Sequence, residues 1–346
     1  MMGLIGHRLF IGLQLATSLL LTISQANSAL AQTDQVKEKN TTLRLVVGAA
    51  AGGNIDLSAR LVARNMPTYL GYNWNIVISN MPGAGSLNAA NFVLKNNSEH
   101  EPMMAAITAP AVISHLTSQT STGVFDAAAY DWLGSTLAGE AYCLTLRDKQ
   151  KPEADSGKLI LGATSSGSPS STFAYLIKHL VGPGIKITHG YQGPQDLLAA
   201  VERSEIDAFC SFTLGNIEDL WPDRLASGKI RLLYSFPMPN ESPNPLESKN
   251  IMDLARPEDI NAINLFLSQQ IFVQPYGVPA SLPAPMRKIL RDAFEKTVES
   301  DDFRKGFFRQ NAPVKTANSS EVTKAIARIM NAPQREQEKI RQMIAQ

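Results

Sequence analysis

Charge is scarce in this 346-residue chain. Asp, Glu, Lys and Arg make up only 18% of it, and they nearly cancel, 32 Lys+Arg against 31 Asp+Glu. A surface with no basic excess and no Lys/Arg blocks argues against nucleic acid as a partner, because such binding rests on neutralised phosphates. Cysteine is limited to Cys143 and Cys210, which form neither a CxxC pair nor a metal spacing. The five histidines, at positions 7, 100, 115, 179 and 189, include no HxH or HxxxH pair, so no metal is expected. His189 reads as an ordinary structural residue. Long apolar runs are missing beyond the first 31 residues, so no later segment is expected to cross a bilayer.

What the chain does have begins with a leader pattern. Met1 to Arg8 carries one positive charge, Leu9 to Ile23 is almost wholly apolar, and Ala29-Leu30-Ala31 is a small-x-small cleavage signal. This predicts a secretory signal peptide cut after Ala31. The apolar run is short for a span, which needs about 20 residues. No cysteine lies near the cleavage point and no twin arginine precedes it, so neither a lipid anchor nor the folded-export route is expected. The mature chain, without Arg8, carries 31 charges of each sign. Outside the cytoplasm Cys143 and Cys210 are free to pair, or to stay buried as thiols; their spacing leaves both readings open.

With 44% hydrophobic residues, the chain has ample core and nears the length at which one core splits into two. After a polar linker, Gln32 to Asn40, strand and helix patterns alternate. Strands are predicted at Leu43–Val47, Asn75–Ser79 and Pro102–Thr108, with helices at Ile55–Leu70 and Leu87–Lys95. A second series has strands at Cys143–Arg147, Lys158–Thr164, Ile185–His189, Asp207–Phe212 and Ile230–Phe236. Helices Ser171–Leu180, Gln195–Arg203 and Ile217–Leu225 lie between them. A Pro/Asn-rich loop, Pro237 to Pro245, follows. Then come one strand-like run, Gln270–Gln274, and helices at Ala284–Ser300, Asp302–Gln310, Ser319–Met330 and Gln334–Ile344. So few late strands cannot make a third sheet. The expectation is an α/β protein of two domains with a cleft between them, each a mostly parallel sheet flanked by helices. Residues 41–140 and 235–346 form the first domain, and 141–234 the second.

Three turns stand between a strand and a helix: AAAGGNID (49–56), NMPGAGSLN (80–88) and TSSGSPSS (164–171). The first N–H groups of a helix lack intrahelical partners and carry the positive end of its dipole. Glycines let an anion reach them, and in open α/β sheets such turns lie where ligands bind. Each turn also has an ordinary explanation: Asn54 and Ser168 are good caps, Pro169 suits a first helical position, and Asp56 answers the dipole.

Enzyme motifs fail one by one. Gly48 to Gly53 matches GxxxxG, but Asn54 and Ile55 stand where a P-loop needs Lys and Ser/Thr. Gly83-Ala84-Gly85 begins a GxGxxG that Asn88 breaks, and no acid follows at the ribose position. Ala163-Thr164-Ser165-Ser166-Gly167 is not a GxSxG elbow. With no catalytic constellation left, the pattern points to binding.

LRLVVGAAAGGNIDLSARLVA, then ISNMPGAGSLNAANFV about 25 residues on, resembles the substrate-binding proteins of tripartite tricarboxylate transporters, the Bug-type periplasmic receptors. Their loops read PF-x-AGG-x-x-D and N-x-PGAGG. The likeness continues through FDAAAYDWLGS (125–135), LGATSSGSPSS (161–171), HGYQGPQDLLAAVERSEIDAFCSF (189–212) and LPAPMRKILRDAFEKTVESDDFRK (282–305). It implies a type II periplasmic-binding-protein clamshell that is no enzyme and needs no cofactor. Such a clamshell is expected as a periplasmic monomer that catches a small carboxylate and hands it to membrane permease subunits. The matching site positions are Ala51, Gly52, Gly53, Asn54 and Asp56, with Ser165, Ser166 and Gly167 opposite. Tyr191 and Gln192, at a strand end, are candidates for the ligand's distal part. Departures are Gly48-Ala49 for Pro-Phe, Met81 for Arg, Ser86 for the last Gly, Ser168-Pro169 for a small pair, and Ser211 where Asp is frequent. Two other classes remain open: a periplasmic sensor signalling to a membrane kinase, and an enzyme using Asp56 or Asp207 as base.

Overall fold

The computed structural model describes residues 41–71, 73–117, 125–146, 158–239, 246–307 and 315–344. The expected leader and linker, part of the loop before Pro245, and the tail of the helix expected to reach Gln310 lie outside the described residues.

Among the described residues twelve strands form two six-stranded sheets. The first is ordered β12-β4-β11-β3-β1-β2, with β1 (Thr41–Val47), β2 (Trp74–Asn80), β3 (Met103–Ala106), β4 (Tyr130–Ala138), β11 (Pro275–Pro279) and β12 (Lys315–Asn318). The second is ordered β10-β9-β5-β8-β6-β7, with β5 (Ala141–Leu146), β6 (Ile160–Ala163), β7 (Lys186–His189), β8 (Ala208–Thr213), β9 (Ile230–Phe236) and β10 (Lys249–Asn250). The chain passes from β4 straight into β5 through Gly139 and Glu140, and comes back with β11.

The fold is α/β, but the sheets are mixed rather than mostly parallel. β1 and β3 pair in parallel, whereas β11 runs antiparallel to both β3 and β4. In the second sheet β6 runs parallel to β7 and β8, while β5 is antiparallel to β8 and β9.

The main helices are α1 (Asn54–Asn65), α2 (Leu87–Asn96), α3 (Pro169–Val181), α4 (Pro194–Glu202), α5 (Leu214–Leu220), α6 (Ala284–Glu299) and α7 (Ser319–Met330). Leu45, Val46 and Val47 are all fully buried, as a strand covered on both faces requires. One face of the first sheet packs Leu43, Leu45 and Val47 against Ile55 and Val62 of α1 and Leu290 and Phe294 of α6. A second cluster packs Leu144, Phe209 and Phe212 against Leu197 of α4 and Ile217 of α5.

Three expectations change. Gln270–Gln274 is not a strand. Residues 268–272 form a 3-10 turn, because Gln269 and Gln270 spend their side-chain amides on the carbonyls of Phe266 and Phe236. The strand starts only at Pro275. β4 and β12 were not expected as strands; β4 is buried along nearly its whole length and so carries no alternating pattern. The expected helix 217–225 is two, broken at Trp221 by Pro222.

Cys143 and Cys210 are disulfide-bonded. They sit on neighbouring strands β5 and β8, where the register shifts between Tyr142 and Leu144. Beside the bridge Ser211 takes φ 77°, the mark of a bulge. No helix among the described residues is long and apolar enough to cross a membrane.

Candidate functional site

The turn between β1 and α1 is braced from inside. Gly52 turns at φ 81° and its N–H donates to Asp56 Oδ2 at 2.8 Å. Gly53 N–H closes a turn on Ala50 O at 3.2 Å. Asp56 also accepts from Arg60 Nε (2.9 Å) and from Asn80 Nδ2 (2.9 Å), and Asn80 bonds Ala49 O as well. Burial alone would raise the Asp56 pKa. The bonds from Arg60, Gly52 and Asn80 outweigh it and hold the carboxyl below its ordinary 3.8. Asp56 is therefore an ionised brace, only 1% exposed, and poorly suited to act as a base.

That bracing moves the free donors. Two glycine N–H groups are spent within the loop, while α1 starts from Gly53 with no side-chain cap. Among the described residues, Leu57 N–H is the first amide of α1 to find a partner, on Gly53 O. Asn54 and Ile55 thus open the helix with unsatisfied donors at the positive end of its dipole.

Opposite, the turn before α3 carries a side-chain cap. Ser168 Oγ accepts from Ser171 N–H (3.3 Å) and Ser165 N–H (3.4 Å), and Pro169 has no N–H to offer. Helix α5 is closed by a capping box between Thr213 and Asn216. Of these three helices, only α1 has no side-chain cap among the described residues.

The NMPGAGS turn takes a different part. Gly83, Ala84, Gly85 and Ser86 all have positive φ. A Cβ on Gly85 would stand 3.2 Å from Gly167 O, so this turn rests against the SSG turn of the second lobe. Two of the departures from the family's motif answer one another. Ser86 Oγ donates to Gly48 O at 2.9 Å and accepts from Thr108 N–H, and a Cβ on residue 48 would lie 2.4 Å from Ser86 Cβ. Serine fits at 86 because glycine stands at 48.

Between the lobes lies a cavity of about 250 Å³. Ala49, Asn54, Ile55, Thr108, Val273 and Gln274 line it from one side. Thr164, Pro169, Ser170, Pro194, Leu197, Ser211, Phe212 and Asn216 line it from the other. None of these side chains is ionisable. Asn54 and Asn216 also border an outer cavity of about 470 Å³, which Leu57, Arg60, Arg64, Gln195 and Asp219 help to line. Gln274 is held by Ser58 Oγ (2.9 Å) and Thr136 Oγ1 (3.0 Å), both on its Oε1, and Ser58 Oγ also lies 3.0 Å from the Tyr276 hydroxyl. Burial pushes the Tyr276 hydroxyl well above its ordinary pKa, so it stays protonated.

Of the ten expected site residues, Asn54 lines this cavity directly. Ala51, Gly52, Ser165 and Ser166 are exposed in the two turns. Tyr191 packs its ring over Gly162, where a Cβ would be 3.4 Å from it, and belongs to the second lobe's apolar cluster. Gln192 is exposed and donates to Asp196 and Gly190 O. Asp207 takes Ile160 N–H at 2.7 Å, stitching β6 to β8, with no place in the cleft. His189 Nε2 pairs with Ser171 Oγ at 3.0 Å. Among the described residues no cluster of His, Cys, Asp or Glu could hold a metal. Gln274, Asn216 and Phe212 escaped sequence reading; nothing local in the sequence sets them apart.

No protein-family model matches the chain, and no curated protein matches it by sequence. Solved structures do match. A TctC solute binding protein from Polaromonas superposes with TM-score 0.58 at 16% identity, over 88% of this chain and 98% of its own. The periplasmic binding protein BugD gives 0.63 at 15%, over 88% and 97%. MatC from Rhodopseudomonas palustris, with bound malate, gives 0.60 at 19%, over 88% and 99%. At such identities the likeness is one of fold. The chain has the two-lobed α/β architecture of TctC- and Bug-type periplasmic binding proteins.

Proposed function

We propose that this protein is a periplasmic receptor that captures a small carboxylate and delivers it to the permease subunits of a tripartite tricarboxylate-type secondary transporter. The observation that carries the reading is the open N-terminus of α1 at a cavity between two lobes that holds no acid–base or nucleophilic set. A carboxylate accepting two or three N–H bonds gains about 1.5–3 kcal/mol from each. Micromolar affinity needs about 8 kcal/mol. Closure of the lobe that carries the second sheet, which takes in β10 at Lys249–Asn250, over the lobe that carries the first supplies the remainder by excluding water. Preference for the closed state is what a permease can read.

In this reading Asn54 and Ile55 donate, Ala51, Gly52 and Gly53 leave the approach bare, and Asp56 holds the turn in shape. Ser165, Ser166 and Gly167 close the opposite side, and Tyr191 and Gln192 sit behind it. The Cys143–Cys210 bridge suits an oxidising compartment, which agrees with export; in this reading the leader is cut after Ala31 and the protein acts as a monomer. MatC holds malate in its structure, so a carboxylate ligand on this fold has precedent.

The test is a thermal-shift screen of the mature protein against carboxylic acids, since stabilisation grows with ligand concentration over Kd. A rise in melting temperature with at least one acid, and its recovery unchanged from the complex, is expected. Folded protein that responds to none of them would end the reading, and turnover of the acid would make it an enzyme. Co-purification with permease subunits rather than a kinase tests the transport half.

A further inference from the structure

The cavity between the lobes has an uneven chemistry. Its apolar wall is made by Ile55, Pro169, Pro194, Leu197, Phe212 and Val273, and the polar groups between them are neutral hydroxyls and amides. The cations Arg60 and Arg64 line the outer cavity instead, and Arg60 is already bound to Asp56 through two nitrogens.

One polar group in the inner cavity is left over. Gln274 is only 3% exposed. Its Oε1 lies 2.9 Å from Ser58 Oγ and 3.0 Å from Thr136 Oγ1, which leaves Nε2 on the other side of the amide. Its main chain is equally held, N–H on Ser135 Oγ and O under Thr136 N–H. Among the described residues the Nε2 has no partner, on a side chain that lines the cavity. Ser58 lies one turn along α1 from Asn54, and its one hydroxyl proton is shared between Ile55 O, at 3.0 Å, and the Gln274 amide oxygen. The amide is thereby seated beside the first turn of α1, where the open N–H groups are.

We infer that the inner cavity takes a ligand with a single carboxylate and an uncharged, largely apolar body, and that Gln274 Nε2 is a specificity-determining donor to that ligand. This rests on the carboxylate-receptor reading. The physical reason is charge. One carboxylate finds the α1 N-terminus and the Gln274 amide, whereas a second would meet only apolar walls and neutral hydroxyls and amides, with no counter-ion, which is costly.

The experiment is isothermal titration of the mature protein with acids matched in length: hexanoate against adipate, butanoate against malate, and 3-phenylpropanoate. The monocarboxylate of each pair is expected to bind at least tenfold tighter, and Gln274→Met to lose at least tenfold with unchanged circular dichroism. Adipate or malate binding as tightly as its partner overturns the inference and leaves the receptor reading standing. Failure of every acid overturns the receptor reading itself. Unchanged affinity in Gln274→Met removes that residue from the site. The length-matched pairs on the unmodified protein decide the charge question even should the variant fail to fold.

Discussion

The turns that open α1 and α3 look alike and behave in opposite ways. Both are short stretches of small residues between a strand and a helix. In AAAGGN the capping position is Gly53, which has no side chain, so the helix is left open. In TSSGSP it is Ser168, whose hydroxyl takes Ser171 N–H and so closes the helix from within. A Gly/Ser-rich turn is therefore not by itself an anion site. What matters is whether the residue at the cap carries an oxygen.

The comparison breaks most visibly if α1 is given its own cap. Gly53→Asp places a carboxylate where the ligand's should sit. We expect ligand affinity to fall at least a hundredfold, about 2.7 kcal/mol, with a gain of a few tenths of a kcal/mol in stability. Calorimetry and urea unfolding read the two effects, and retained affinity would place the anchor elsewhere.

Removing the brace is next. Asp56→Asn should lose about 1–2 kcal/mol at pH 7, since a charge-assisted pair becomes a neutral one. The sign follows from the carboxyl's lowered pKa. Its contribution is full above about 3.8, the unfolded value, and is lost as pH falls through the lower folded one. The gap between variant and wild type in urea unfolding should therefore narrow from pH 7 to pH 2. A gap constant with pH would show that Asp56 acts by packing.

Opening α3 should cost less. Ser168→Ala removes a cap worth about 1 kcal/mol, and the ligand's affinity should change less than threefold, because Ser168 is not among the residues that line the cavity. A loss as large as that from Gly53→Asp would make the two turns equivalent after all. Smallest of all is Gly85→Ala. At φ 59° and 3.2 Å from Gly167 O it should destabilise by roughly 1 kcal/mol. It should weaken binding only as far as it keeps the lobes apart, which small-angle scattering with and without ligand can follow.

Much of the fold could be read from local patterns, because α1, β2 and α2 carry a period of their own and β1 is a short apolar run that opens into a glycine turn. β4 could not, since a strand covered on both faces has no alternation to see. Residues 270–274 misled because Ile271, Phe272 and Val273 suggest a strand, whereas two glutamine side chains settle the backbone. The site divides in the same way. Asn54 was legible from the turn and the helix that follows it. The brace on Asp56 depends on Asn80, 24 residues away, and the posture of Gln274 on Ser58, 216 residues away.

From the residues alone come the alternation of strand and helix and the three small-residue turns, but not that Gly53 rather than Asn54 is the capping position of α1 and leaves it without a side-chain cap. These are local matters, fixed by what each residue can donate, accept or obstruct within a few positions. Which turn closes itself on the other lobe, which cysteine meets which, and that a neutral amide rather than a cation faces the cavity were decided only in three dimensions. Each of these depends on partners far apart in the chain, and only folding brings them within reach of a hydrogen bond.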